Sequence, residues 1–201
     1  METNRLFAAC GDARQVVLTN QPDSPIAALS STVFDLMAGP ELGGVACRTF
    51  THTLVALLTL EAALSPGSLN VGATARAAAD ACDHLLATRD PWLAPTIELL
   101  AGPHGTWLLA PVERLCSSLQ GALMLREGPR LAAVGCETGD WSHVDVYLTK
   151  TLDYLALVFA GARHTVRYPL DTDPIVALLT EVMVPELVAA SLWQQQATTP
   201  R

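Results

Sequence analysis

Three groups of residues have types and spacings that can do chemistry. Gln120, Met124 and Glu127 lie four and three positions apart in an apolar segment of helical period, so on an α-helix they share a face. Glu127 closes that segment, where the helix dipole opposes a negative charge, and a carboxylate so placed beside a pocket can act as a general base. The plainer alternative is a solvated glutamate paired with Arg126 or Arg130. In GDWSH at 139–143, Gly139 permits a tight turn, Asp140 or Ser142 can cap a helix, and His143 then stands at the helix start. A histidine there can move a proton near neutrality, although capping and packing account for the motif equally well. Thr3, Asn4, Cys47, Arg48 and Thr49 form the third group. A hydroxyl and free backbone amides at a helix start bind an anion, and Arg48 can serve a phosphate or pair with Glu41.

The composition narrows what these groups can do. The 201 residues are 50% hydrophobic, 5% aromatic and 16% charged, with a net charge of -8. This charge disfavours a diffuse nucleic-acid footprint. Lys150 is the sole lysine, so amine chemistry has one candidate. Neither GxxxxGK[ST] nor GxGxxG occurs, and nucleotide-type readings have no motif behind them. Cys10, Cys47, Cys82, Cys116 and Cys136 are widely spaced, which reads as reduced thiols in a cytoplasmic protein. No pair of histidines has metal-ligand spacing, and neither a metal nor a cofactor is expected. The N-terminus lacks a secretory pattern, and apolar segments are interrupted before about 18 residues, so no membrane partner is expected.

The elements that must position these groups follow from periodicity and punctuation. A first helix is predicted from Thr3 or Asn4 to Cys10. A buried parallel strand is predicted over 15–19, a short helix over 26–31 and a second strand over 33–37. A glycine-rich loop at 38–44 precedes a long helix to about Leu64, ended by SPGS at 65–68. Alanine-rich helices are predicted over 70–88 and 90–101. A strand at 106–110 leads to a strong helix at 112–127, limited by Pro129. A short strand at 131–134, a loop through CETGDWSH, and a helix from Val144 or Asp145 to Asp153 come next. Strands are predicted at 155–159 and 165–168, and a C-terminal helix begins at Asp173–Pro174 and divides at Pro185. The chain divides into a partial α/β portion over 1–64, a helical connector over 65–105 and a second, shortened α/β portion over 106–201.

In this order the segments resemble the sugar isomerase (SIS) domain family, and most nearly the isomerase half of the glutamine–fructose-6-phosphate aminotransferases. VVLTNQPDSPIA at 16–27 resembles ITNxPxSxLA, and AGPELGGVACRTFTHTLVALL at 38–58 resembles AGPEIGVASTKTFTAQLxALL. QGALMLRE at 120–127 resembles EGALKLKE, GDWSH resembles GELKH, and the opening Glu2-Thr3 matches the end of SxSGET. The resemblance implies an α/β three-layer sandwich of SIS type with a mostly parallel sheet, here with an incomplete first portion and a shortened second one. It implies a homodimer that binds a small phosphosugar. Glu127 then matches the proton-transferring glutamate and His143 the ring-opening histidine. Thr3 and Cys47 match phosphate-holding hydroxyls, and Arg48, Thr49 and Gln120 complete the expected phosphosugar contacts.

Several family residues are replaced. The two serines and the glycine of SxSGET are absent, the first glutamate of EGALKLKE is Gln120, and its first lysine is Met124. The lysine of the family's C-terminal AKSVTVE motif has no counterpart, and the GRG loop is Ala110-Pro111-Val112. Three readings therefore stay open at this point: an aldose–ketose or deaminating isomerase, a catalytically silent phosphosugar-binding or partner subunit, and a truncated relic whose apolar, alanine-rich faces need a partner or an upstream strand.

Overall fold

The structure is a computed structural model that describes residues 13–65, 67, 69–100, 103–159 and 173–198, together with Arg5 and Ala9. Of the predicted first helix only Arg5 and Ala9 are described, both helical, while Thr3, the turn at 161–164 and the strand at 165–168 lie outside the described residues. The chain divides into two compact units, Met1–Val71 and Gly72–Arg201. The helices at 71–87 and 90–100, read from sequence as a connector, fall in the second unit apart from Val71 itself.

In the first unit, the β-branched run Val16–Thr19 (β1) pairs in parallel with Thr32–Asp35 (β2), Val16 opposite Thr32. A parallel pair needs a crossover of about a dozen residues. Residues 20–31 supply it, and within them Pro25–Leu29 (α1) starts on a proline whose fixed φ suits a first helical position. Asn20 ties the strand ends together. Its side-chain amide donates to the Gly39 carbonyl (2.7 Å) and its oxygen accepts from the Ala38 amide (2.9 Å). After the loop comes Arg48–Leu64 (α2), anchored where His52 Nδ1 meets the Leu36 carbonyl at 2.7 Å. That contact fixes the proton on Nδ1, since a carbonyl can only accept.

The second unit holds Val71–Ala87 (α3), Asp90–Leu100 (α4) and Thr106–Ala110 (β3). A 3-10 turn at Val112–Arg114 leads into Leu115–Glu127 (α5) and Ala133–Glu137 (β4). Thr138–His143 (α6), a second 3-10 turn at Asp145–Lys150, Leu155–Val158 (β5), Pro174–Thr180 (α7) and Met183–Thr198 (α8) follow. The sheet order is β4-β3-β5, all parallel. Every residue of β3 is buried, as expected of a central strand covered on both faces. Both units therefore follow α/β logic, with parallel strands and surrounding helices.

The sequence reading is displaced around β4. The strand runs over 133–137 rather than 131–134, and CETGDWSH enters the end of that strand and then α6 instead of forming a loop. Gly135 is the cause. A Cβ there would lie 2.8 Å from Leu119 Cα and 2.8 Å from the Ser118 carbonyl oxygen, so α5 presses on the strand backbone at this residue. A glycine in mid-strand marks such close approach, but by periodicity alone it reads as a strand end. The C-terminal helix breaks at Glu181–Val182, ahead of Pro185. The stretch Pro174–Ala197 is long and apolar enough to cross a membrane by length and composition, with a mean hydropathy of 1.9. Half of that window is buried in the fold, where α8 packs on α5 and α4.

One largely buried ion pair stitches this break to the rest. Arg114 Nη1 donates to Glu181 Oε2 at 2.8 Å, and Nη2 reaches the Pro174 carbonyl at 3.3 Å. Burial pushes the Glu181 carboxyl above the usual range, and the adjacent Arg114 guanidinium only partly offsets it. Because the folded value is raised, this group's favourable contribution is present at low pH and is lost as pH rises through that value.

Two stability predictions follow from this packing. Gly135→Ala forces backbone apart and costs about 2 kcal/mol in denaturant unfolding. Arg114→Met strands a buried carboxylate and costs about 3 kcal/mol at pH 7, a deficit that shrinks on acidification as Glu181 takes up its proton. Unfolding curves at pH 7 and pH 4.5 check both the magnitude and the sign.

Candidate functional site

The candidate residues fall into two sets. In the first unit, Cys47 precedes α2, Arg48 is its first residue and Thr49 its second. The amides that make a helix start attractive to phosphate are engaged by the chain itself. Glu41 Oε1 accepts from the Thr49 amide at 3.0 Å, and Oε2 accepts from the Thr49 hydroxyl at 2.9 Å. Partial burial raises the Glu41 carboxyl, but hydrogen bonds from Thr49 and from the Cys47 and Arg48 amides outweigh it and leave it below the usual glutamate range. Arg48 donates to the Pro40 carbonyl rather than pairing with Glu41, and its side chain is exposed. Of the expected phosphate contacts, Cys47 is half-buried, Thr49 is committed to Glu41, and Arg48 is left facing solvent.

In the second unit, Gln120 and Met124 are buried on α5, whereas Glu127 at its last turn is exposed. Glu127 makes no ion pair among the described residues, so the reading that paired it with Arg126 or Arg130 is not the observed arrangement. Because α5 is the crossover between parallel strands β3 and β4, its start lies at the carboxyl edge of the sheet and Glu127 at the amino edge.

His143 sits at the last residue of α6, not at its start. Glu137 does the capping that was expected of Asp140 or Ser142. Its carboxylate accepts from the Gly139 amide (2.6 Å), the Asp140 amide (3.2 Å) and the Thr138 hydroxyl (2.8 Å). The Thr138 hydroxyl holds the Glu137 carboxyl below its ordinary value, and with the help of the Gly139, Asp140 and Thr138 amides it outweighs the opposing desolvation. Trp141 is structural: its Nε1 donates to the Tyr154 hydroxyl at 2.8 Å, which donates to the Asp145 carbonyl at 3.1 Å. Trp107 Nε1 donates to Asp145 Oδ2 at 2.9 Å and its ring lies 3.9 Å from that of Tyr154. His143 is left exposed at the end of this packed cluster.

Other reactive groups are quiet. Cys136 is held above the ordinary thiol value by burial, then by Asp145, Asp140 and Glu137, which keeps it protonated and weakly nucleophilic. Among the described residues, no three His, Cys, Asp or Glu side chains converge to hold a metal ion. The sequence reading passed over Glu137 and Glu181, and gave Glu41 only to Arg48. Glu41 lies eight residues before its partner, beyond any capping-box offset, and therefore gave no local signal.

Comparison with known proteins places these groups in a fold. No protein-family profile matches the chain. A glutamine–fructose-6-phosphate aminotransferase (isomerizing) from Xylella fastidiosa is 28% identical over 152 residues, covering 71% of this chain and a quarter (25%) of its own length. The C-terminal domain of glucosamine–fructose-6-phosphate aminotransferase from Francisella tularensis superposes with a TM-score of 0.71 at 19% identity. A proposed phosphosugar isomerase from Silicibacter pomeroyi gives 0.70 at 21% identity. Each superposition covers 98% of this chain and 67% of the other. The fold is SIS-like. At these identities the superpositions establish architecture, and the Xylella protein adds a sequence relationship to the aminotransferases.

The cap itself is testable. Glu41→Ala is expected to cost about 1 kcal/mol at pH 7, the usual worth of a helix cap. Since Glu41 is held low, its contribution is complete above the ordinary glutamate value and is lost as pH falls through the lowered one. The parent and variant stabilities should converge there in pH-dependent urea unfolding.

Proposed function

We propose that this chain binds a phosphosugar and carries out enediol-type proton transfer on it, as an aldose–ketose or deaminating isomerase. The observation that carries this reading is the sequence relationship to the isomerizing aminotransferase over 152 residues, on a backbone that superposes on two sugar-phosphate proteins. Glu127 is the base. For an aldose–ketose substrate it takes the C2 proton of the open-chain sugar, and the freed electron pair forms the C1–C2 double bond of an enediolate. The same carboxyl returns the proton to C1 while the hydroxyl proton passes from O2 to O1, so no atom is gained or lost. His143 assists ring opening. Arg48 holds the phosphate, a role that falls to it because Glu41 engages the Thr49 amide and hydroxyl.

The same reading carries the three-layer arrangement, a homodimer and a cytoplasmic setting. Thr3, Cys47 and Gln120 remain its secondary phosphosugar contacts. Specific observations favour a second reading, that of a silent binding subunit. Gln120 and Met124 are buried where the family has a glutamate and a lysine, and Glu41 closes a helix start on which a phosphate could settle.

Proton NMR in deuterated water, with glucose 6-phosphate and glucosamine 6-phosphate, separates the two. The isomerase reading expects exchange at C1 and C2 that falls at least about 100-fold in Glu127→Gln, the loss typical of a general base, with binding kept within about threefold. Unchanged exchange in that variant removes Glu127 from the mechanism. Saturable binding without exchange in the parent chain establishes the silent subunit instead.

A further inference from the structure

In the first unit, the loops that follow β1 and β2 line a shallow, open cleft of about 290 Å³ bordered by Asn20, Gln21, Asp35, Met37, Gly39 and Pro40, all but Asn20 exposed. It lies at the carboxyl ends of two parallel strands, the edge at which open α/β sheets take their ligands. Its volume lies just under the usual range of ligand pockets, about 300–1,000 Å³, so any ligand seated there is small and keeps part of its surface in solvent.

The cleft has a fixed frame with free groups on it. Both polar atoms of the Asn20 side chain are spent bridging the loops to Ala38 and Gly39. Asp35 Oδ1 is spent on the Met37 amide at 2.9 Å, while Oδ2 has no partner among the described residues. The Gln21 side-chain amide is likewise uncommitted. Met37 is held at φ 48°, a left-handed backbone conformation that costs a side-chain-bearing residue free energy, and its side chain is 79% exposed. Arg48 borders the wall, bonded to the Pro40 carbonyl, with guanidinium donors to spare.

We infer that this cleft seats the polyol portion of a monosaccharide phosphate, with Asp35 and Gln21 on its hydroxyls and Arg48 on its phosphate. A carboxylate oxygen and a primary amide are the groups that accept from and donate to neighbouring hydroxyls, and the Met37 thioether side chain offers an apolar surface to the C–H faces between them. The carboxylate disfavours an anion in the cleft itself and leaves the phosphate to the guanidinium at the rim. The inference rests on the phosphosugar reading but adds residues outside the set matched by resemblance, apart from Arg48.

The test is amide NMR of the full chain titrated with glucitol 6-phosphate, which cannot isomerise, and in parallel with glucitol and inorganic phosphate. Saturable shifts are expected at Gln21, Asp35 and Met37. Asp35→Asn keeps the acceptor for the Met37 amide and so keeps the loop. It should weaken glucitol 6-phosphate at least tenfold and leave inorganic phosphate unchanged. Arg48→Gln should remove the advantage of glucitol 6-phosphate over glucitol. Shifts confined to Glu127 and His143, with Asp35→Asn indifferent, overturn the cleft while sparing the phosphosugar reading. Shifts with inorganic phosphate alone also overturn the cleft, and no saturable shift with any probe overturns both.

Discussion

Helix α5 lies so close to the β3–β4 strand pair that Gly135 has room for no side chain, and Gly121 meets Leu108 and Pro185 as closely on the helix's other contacts. This close approach fixes the second unit. It buries Leu108, Leu125 and Met124 almost completely and seals the central strand, which supplies much of that unit's apolar burial. It also sets which end of α5 is where. The end bearing Arg114 meets the break between α7 and α8, and the end bearing Glu127 emerges into solvent at the opposite edge of the sheet. A shift of α5 away from the strands would loosen both ends together, because interiors packed at crystal-like density deform in steps rather than smoothly.

A second constraint is electrostatic. Helix starts in both units are closed by the chain's own carboxylates: Glu41 at α2, Glu137 at α6 and Asp173 at α7, where its side chain accepts from the Ile175 amide. Each offsets the unsatisfied amides and the positive end of a helix dipole. In a chain of net charge -8, these closures remove three helix starts as places where an anion gains by binding. Arg48 stands out because its helix start is closed while its own guanidinium remains exposed. The glycine-rich loop before α2 thus does two jobs: Glu41 caps the helix, and Gly39 and Pro40 form a wall against which Arg48 is braced.

Much of the architecture was legible in the residues. The β-branched run at 16–19, the apolar strand at 106–110 and the amphipathic stretch ending at Glu127 have periods and punctuation that local physics enforces. The region from 131 to 143 was less legible. Gly135 reads as a breaker in isolation and is a strand residue because of what α5 does across from it. His143 moved from the start of a helix to its end because the carboxylate before Thr138 took the capping role. Of the candidate site, the residue types and their helices were visible, but the commitment of Thr49 to Glu41 was not. Glu41 and Thr49 are eight residues apart in an irregular loop, where no periodicity relates them.

By itself the sequence determined most of the described helices and strands outside 131–143, and that with a single lysine cationic contacts fall almost wholly to arginines. These follow from backbone sterics, side-chain periodicity and charge, all local or summed quantities. Only the tertiary structure decided which polar groups are already satisfied and which are free. Among the described residues, Glu41, Glu137 and Arg114 are consumed, whereas Asp35 Oδ2, the Gln21 side-chain amide and the outer face of Arg48 are not. Whether a donor or acceptor is available to a ligand depends on the partner that folding brings to it, and that partner can come from anywhere in the chain.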